Sequence, residues 1–333
     1  MRSARAVAHT NIALVKYWGK RPPAAGQPDL NLPAVGSLSL TLDRLRSETL
    51  VCPSDHDSFA LNEGPGPADA AAKVLRHLDR VWQAAGHPGP RPACAVTSTN
   101  HLPTAAGLAS SASGFAALTL AAAAAFGFDP GREALSALAR RGSGSAARSL
   151  WGGFVRLQRG SQPDGGDCRA YPLHPPAHWD IRLLIAHTAR GPKPVGSTDG
   201  MQRCRETSPY YGPWVETSEA DLAAAEAALA ARDLAALGAI VEHSCFKMHA
   251  CMMATRPPLV YWNGTTLEAI RAVWQARADG LAGYVTSDAG PHVKVLCPTG
   301  QADAIAERLR AVPGVQAVEA VAPGPDPHVE VLP

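Results

Sequence analysis

Residues 100–114 read Asn-His-Leu-Pro-Thr-Ala-Ala-Gly-Leu-Ala-Ser-Ser-Ala-Ser-Gly, without formal charge, without Phe, Tyr or Trp, and without alternation of polar and apolar positions. Such a stretch offers its backbone rather than its side chains. Pro103 fixes one φ angle, Gly107 permits a conformation other residues resist, and the small Ala, Ser and Gly side chains stay out of the way. Composition predicts an Ala-rich helix immediately afterwards, over residues 108–126. A small-residue loop that opens a helix aims unpaired N–H groups and the positive end of the helix dipole at one point, which suits a phosphate. Ser110 and Ser111 add hydroxyls that can meet phosphate oxygens or a magnesium ion. Tight packing of a small-residue helix start against a neighbour is the competing account, and for a generic run it is the commoner one.

The rest of the composition narrows the class. With 333 residues, 46% of them hydrophobic, the chain can fill the core of one large or two ordinary domains. A formal net charge of +2 with no basic block argues against nucleic-acid and membrane-surface partners, so any substrate charge must be met locally. Seven cysteines without a Cys-x-x-Cys pair do not form a disulfide or zinc framework, and a reducing cytoplasm is expected. No apolar run follows Arg2 and Arg5 that would make an export signal. The charge-free run over 102–128 is long enough to test as a membrane span. Its Ala, Gly, Ser and Thr content and Pro103 point instead to a buried central helix.

Periodicity places strands at 5–18, 37–42, 48–52 and 58–61, and a helix after Pro67 that buries Ala71, Val74, Leu75, Leu78, Val81 and Trp82 and stops at Gly86. A strand at 93–99 feeds the small-residue loop. Helix 132–140 follows, then a second small-residue run at 141–149 that is expected to open another helix, and a strand at 154–157. Around 175–179 the pattern changes to long Ala/Leu helices, which divides the chain into 1–178 and 179–333. The second part carries strands at 181–187, 282–286, 293–297 and after Val315, with helices at 220–231, 234–250, 265–277 and 302–310. Helices among antiparallel-compatible strands predict an α+β sandwich.

Four further segments hold chemistry: Lys16-Tyr17-Trp18-Gly19-Lys20; Ser143-Gly144-Ser145 with Arg148; Lys193 with Gly196-Ser197-Thr198-Asp199-Gly200-Met201; and Asp288-Ala289-Gly290-Pro291. Each alone has a plain structural reading, as an amphipathic strand end, a helix surface, a solvated lysine or a turn. Taken together, cations, hydroxyls and small-residue loops are what a polyanionic substrate beside ATP requires, with a lone carboxylate among them as candidate base. His243, Cys245, His249 and Cys251 resemble metal ligands, but only Cys245 and His249 share a helix face, so a packed helix is the better account.

Pro-x-x-x-Gly-Leu-x-Ser-Ser-Ala, from Pro103 to Ala112, resembles the phosphate loop of the galactokinase, homoserine kinase, mevalonate kinase and phosphomevalonate kinase (GHMP) superfamily. Residues 8–20, 103–113, 141–149 and 288–291, with Glu206-Thr207-Ser208-Pro209, Met248-His249-Ala250 and Pro257-Pro258, resemble in order the signature segments of diphosphomevalonate decarboxylases. The resemblance covers nearly the whole chain. It implies a two-domain GHMP kinase-like fold, with an N-terminal domain like ribosomal protein S5 domain 2 and a ferredoxin-like C-terminal α/β sandwich. It also implies a homodimer that uses ATP and Mg2+ to convert mevalonate diphosphate into isopentenyl diphosphate, carbon dioxide, ADP and phosphate.

Position by position, the resemblance makes Asp288, Lys16 and Arg148 catalytic, with Arg148 holding the substrate carboxylate. It puts Tyr17, Lys20, Ser143, Gly144, Ser145, Lys193, Ser197 and Met201 on the substrate. Pro103, Ala105, Ala106, Gly107, Leu108, Ala109, Ser110 and Ser111 fall in the ATP loop, with Ser111 as metal ligand. The chain departs from the family pattern at Val35-Gly36, His101, Thr198 and His292. A phosphomevalonate decarboxylase, a mevalonate-type kinase that stops at phosphorylation, and a nucleotide-binding regulator are the competing readings, separated by turnover and carbon dioxide release.

Overall fold

A computed structural model describes every residue except 24–25, 27–28, 102–110 and 192–194. The first sheet is built on β1 (Ser3–Val15) and β2 (Ser37–Pro53), paired antiparallel from Ala4↔Val51 to Val15↔Leu38. Separate strands were expected at 37–42 and 48–52, whereas β2 runs as one strand of 17 residues. Asp43 and Arg44 interrupt the apolar alternation without breaking the strand, because their side chains reach water while Leu42 and Leu45 stay buried. The strand changes partner along its length: its first part pairs with β6 (Phe154–Leu157), its second with β5 (Cys94–His101). β7 (Ala170–His174) extends β6, and β3 (Ser58–Leu61) lies parallel to β5 and carries the short β4 (Gly64–Pro65).

One face of this sheet is covered by α1 (Ala68–Ala84), α2 (Ser111–Phe126) and α3 (Arg132–Gly142). Helix α2 touches β1, β2, α1 and α3, and its Ala116, Ala117, Ala121, Ala122 and Ala123 are buried around most of its circumference. That is why it is Ala-rich: a helix with neighbours on most sides has room only for small side chains. Its buried Ser113 hydroxyl meets Thr10 Oγ1 at 3.3 Å and Ser47 Oγ at 2.8 Å, so the polar start of the helix is tied to the sheet.

The second sheet orders β11 (Ala317–Val321), β8 (Ile181–His187), β10 (Val293–Pro298) and β9 (Tyr284–Thr286), all antiparallel. Strand β8 alternates: Ile181, Leu183 and Ile185 pack toward β1, β2, α5 (Tyr211–Ala231) and α6 (Leu234–Met253). Leu184 and Ala186 face the opposite way, toward α7 (Gly264–Ala278) and α8 (Ala302–Arg310). The result is the α+β class that the pattern predicts, with two sheets facing each other across an apolar layer.

Other local outcomes also differ from the sequence expectations. The run at 141–149 forms a short 3₁₀ helix, Gly144–Leu150, because Gly and Ser give little support to an α-helix and the tighter turn points Arg148 and Ser149 inward. Segment α4 (Ser197–Thr207), to which periodicity assigned no element, is helical. The chain also has two final strands, and β12 (His328–Leu332) pairs with β1 of the first sheet, Ser3 opposite Leu332. Among the described residues no helix is long and apolar enough to cross a membrane.

Candidate active site

Beyond the end of β1, Lys16 turns inward until its side chain is 1% exposed. Its amide donates to Ser244 Oγ on α6 at 3.0 Å, and its ammonium donates to the Ala13 carbonyl at 2.9 Å and to Asp288 Oδ1 at 2.9 Å. Asp288 sits in the turn between β9 and β10, which the Ser287 hydroxyl braces at 3.1–3.2 Å from the carbonyls of Asp288, Gly290 and His292. A second ammonium, that of Lys294 on β10, donates to Asp288 Oδ2 at 2.9 Å. The Asp288 side chain is 40% exposed, whereas those of the two lysines are 1% and 4% exposed. The carboxylate therefore faces the open side with its cations behind it. Burial alone would raise its pKa, but the two ammonium groups overcome this and hold it well below the usual carboxylate range.

Arg148 approaches from the 3₁₀ helix, 2% exposed. Its Nε donates to Asn11 Oδ1 at 3.1 Å and its Nη1 to Ser37 Oγ at 2.8 Å. No carboxylate pairs with it directly among the described residues. Burial pushes the guanidinium down to about 10, with Tyr17 and Asp288 opposing the shift. A buried cation held on one side by neutral groups is arranged to take an anion on the other.

The Tyr17 ring lies 5.8 Å from the Arg148 guanidinium carbon, and its buried hydroxyl has no partner among the described residues. Gly144 makes that position available, since a Cβ there would collide with the Tyr17 hydroxyl and ring. Gly144→Ala is expected to cost about 1–3 kcal/mol by overpacking and to weaken substrate binding. Thermal unfolding and the KM for substrate measure both effects, and unchanged values of both would show that the Tyr17 ring has room to move.

Ser143 Oγ lies 3.3 Å from Ser111 Oγ and 3.3 Å from Ser145 Oγ, which joins the second small-residue run to the first turn of α2. Beside Ser111 and Gly114 opens a cavity of about 240 Å³ with walls that include Phe59, Leu61, Val74 and Leu118 and polar side chains of Ser98, Asn100 and Lys73. On the far side of Tyr17, Met201 packs with Trp18, Val35 and Tyr261, and Ser197 opens α4. Lys20 is half-buried, which lowers its pKa against the opposing charges of Asp29 and Asp199. Pro103, Ala105, Ala106, Gly107, Leu108, Ala109, Ser110 and Lys193 lie outside the described residues.

The structure thus joins Lys16, Tyr17, Ser143, Gly144, Ser145, Arg148 and Asp288 in one site, with Ser111 at its edge. Lys294, Ser244, Asn11, Ser37 and, Ser111 apart, the side chains that line the cavity were not foreseen as site residues. For Lys294 a signal existed, because it is the one charge within the apolar strand Val293-Lys294-Val295-Leu296-Cys297. On α6, Cys245 and His249 are buried on one face while His243 is exposed, as helical spacing requires.

The first turn of α2 beside an apolar-walled cavity, with a carboxylate among buried cations and a buried guanidinium in the same molecule, fits an enzyme of small-molecule phosphoryl transfer on a GHMP kinase-like scaffold. The profile described as "Diphosphomevalonate decarboxylase-like N-terminal domain" matches residues 8–170, and "Mevalonate 5-diphosphate decarboxylase C-terminal domain" matches residues 183–325. The diphosphomevalonate decarboxylase of Bos taurus is 38% identical over 324 residues, which cover 92% of this chain and 78% of that one. The solved structure of MDDEF in complex with MVAPP, AMPPCP and magnesium superposes with a TM-score of 0.90 at 38% identity and covers 99% of both chains. The Staphylococcus aureus mevalonate diphosphate decarboxylase superposes with a TM-score of 0.91 at 34% identity, covering 99% of this chain and 98% of that one. The chain belongs to the diphosphomevalonate decarboxylase family.

Proposed function

We propose that Asp288, Lys16 and Arg148 carry the ATP-dependent decarboxylation of mevalonate 5-diphosphate to isopentenyl diphosphate, with release of ADP, phosphate and carbon dioxide. The observation that carries this reading is a pair of charges: an ion-paired carboxylate at the open side and a buried guanidinium that has no direct counter-ion among the described residues. The relatives named for this reaction match over nearly the whole chain.

The residues present fit a magnesium nucleotide. The apolar walls beside α2 suit a base, and the first turn of α2 with the Ser111 hydroxyl suits phosphates. Among the described residues no group of three or more His, Cys, Asp and Glu could hold an ion. Magnesium would therefore rest mainly on nucleotide phosphates and water, with Ser111 as protein ligand. When bound, magnesium ATP supplies the phosphoryl group that makes the tertiary 3-hydroxyl of the substrate a leaving group.

The chain's own residues do the positioning. Asp288 accepts a hydrogen bond from the 3-hydroxyl and orients it, and because phosphoryl transfer is loose, an acceptor of low basicity suffices. Lys16 holds Asp288 ionised and offsets negative charge beside the reacting oxygen. Arg148 grips the substrate carboxylate as a fork and keeps its C–C bond anti to the departing phosphate, so that bond breaks as phosphate leaves. Tyr17, Lys20, Ser143, Gly144, Ser145, Lys193, Ser197 and Met201 surround the substrate. The nucleotide loop comprises Pro103, Ala105, Ala106, Gly107, Leu108, Ala109, Ser110 and Ser111.

The proposal includes a division into 1–178 and 179–333, with β12 returned to the first sheet. It also includes a homodimer in a reducing cytoplasm, where free thiols are stable. Sedimentation tests the dimer. The activity test incubates the full chain with magnesium ATP and either mevalonate 5-diphosphate or mevalonate 5-phosphate while following ADP and carbon dioxide. Equal yields of both products, favouring the diphosphate, are expected. ADP without carbon dioxide would make the protein a kinase, and neither product would overturn the reading.

A further inference from the structure

Lys294 lies outside the mechanism above. It projects from β10 among Val293, Val295, Leu296 and Cys297, all buried, and its own side chain is 4% exposed. A buried ammonium needs a partner, and this one has Asp288 Oδ2 at 2.9 Å while Lys16 takes Oδ1 at 2.9 Å. One lysine on each oxygen fixes the carboxylate in its plane as well as in its charge. A single lysine would leave the group free to turn about its Cβ–Cγ bond.

We infer that Lys294 is a positioning residue for the reaction: by holding Oδ2 against the grip of Lys16 on Oδ1, it keeps Asp288 ionised and aims it at the substrate hydroxyl. The inference rests on the decarboxylase reading given above. The other groups near Asp288 do not duplicate this role. The His249 ring of α6 lies tilted by 32° against Trp262 with ring centroids 4.2 Å apart, and burial, aided by the Lys16 charge, lowers its pKa to about 3, so it contributes no cation. Cys245 of α6 is an uncharged thiol whose Sγ accepts from the Ser287 amide at 3.0 Å, and burial pushes its pKa up. Arg148 acts on Asp288 through its field, and among the described residues its side chain donates to Asn11 and Ser37.

The test compares wild type, Lys294→Met and Lys294→Arg in the full chain across pH. Met keeps the length and apolar stem of Lys while removing its charge. The expected result for Met is a kcat lower by about 10- to 100-fold, a KM for mevalonate diphosphate within about threefold, and an acidic limb of kcat moved upward by about one pH unit or more. Arg should recover most of the loss. Superimposable pH profiles, or an equal loss at every pH that Arg does not relieve, would overturn the inference. If the Met variant does not fold, Lys294→Gln replaces it.

A second measurement needs no turnover. Carbon-13 NMR of Asp-labelled protein, with Asp288 assigned by its loss in Asp288→Asn, should show a carboxylate that resists protonation below the ordinary range in wild type and titrates higher without Lys294. Ordinary titration of Asp288 in wild type would overturn the inference whatever the variants do. Absence of ADP and carbon dioxide from wild type would overturn the activity reading instead, and the NMR result would still decide the pairing.

Discussion

Asp288→Asn is expected to fold, bind both ligands and lose roughly 10²–10⁴-fold in turnover. Asn keeps the shape and suits the same turn, so a purely structural role would survive the change. What it removes is the charge that faces Lys16 and Lys294, each 2.9 Å away. Phosphorylation and carbon dioxide release should fail together, because decarboxylation needs the phosphorylated alcohol as its leaving group. Single-turnover formation of ADP and carbon dioxide by a variant with native circular dichroism decides the matter. Turnover within a few-fold of wild type would remove Asp288 from the mechanism, and ADP without carbon dioxide would place its role after phosphoryl transfer.

The same substitution carries a stability signature. Breaking a fully buried pair costs about 3–5 kcal/mol, but the Asp288 side chain is 40% exposed, so a loss nearer ~1–3 kcal/mol is expected. The folded-state pKa lies below the unfolded value of about 4. The ion pairs therefore contribute above that unfolded value, and the contribution fades as pH falls toward the folded-state pKa. Unfolding midpoints of wild type and Asp288→Asn should converge as the solution is acidified below about pH 4. Midpoints that stay equally separated would assign the difference to something other than this titration.

Arg148→Met should lose about 2–5 kcal/mol of transition-state stabilisation, a fall of roughly 30- to 5,000-fold in kcat/KM. Stability should move the other way or hardly at all, because the buried guanidinium has neutral partners, Asn11 and Ser37, rather than a carboxylate. Asn11 keeps its other bonds, to the Ser145 carbonyl at 3.0 Å and to Ser149 Oγ at 2.8 Å. A group retained against its own desolvation cost marks binding, and the opposed signs of the two effects express this. Lys should not rescue, since it cannot offer the planar fork. Near-wild-type catalysis by Arg148→Met would show that the substrate carboxylate is held elsewhere, and a large stability loss would make the residue a strut.

Local chemistry made several features legible in the sequence. The Ala-rich α2 follows from a composition that fits only a crowded helix, β8 and β10 from short apolar runs, and the Asp288 turn from its Asp-Ala-Gly-Pro. Lys16, Arg148 and Asp288 each had a plain structural reading alone, and stood out only in combination and through the family resemblance. Pairing was a different matter. That β12 joins β1 rather than the second sheet, and that β2 changes partner along its length, depends on which edges are free once the layers pack. Lys294 carried a signal, a lone charge in an apolar strand, but nothing along the chain names its partner. Only the meeting of β10 with the end of β1 puts its ammonium opposite that of Lys16. The sequence by itself determined most of the long helices and core strands and the residue types able to handle a phosphorylated acid, since these rest on neighbours along the chain, whereas α4, the 3₁₀ turn and β12 took shape only in the packed structure. The tertiary structure decided which buried charges meet, because Lys16 and Asp288 are 272 positions apart and only the packing of the two sheets brings them within hydrogen-bond reach.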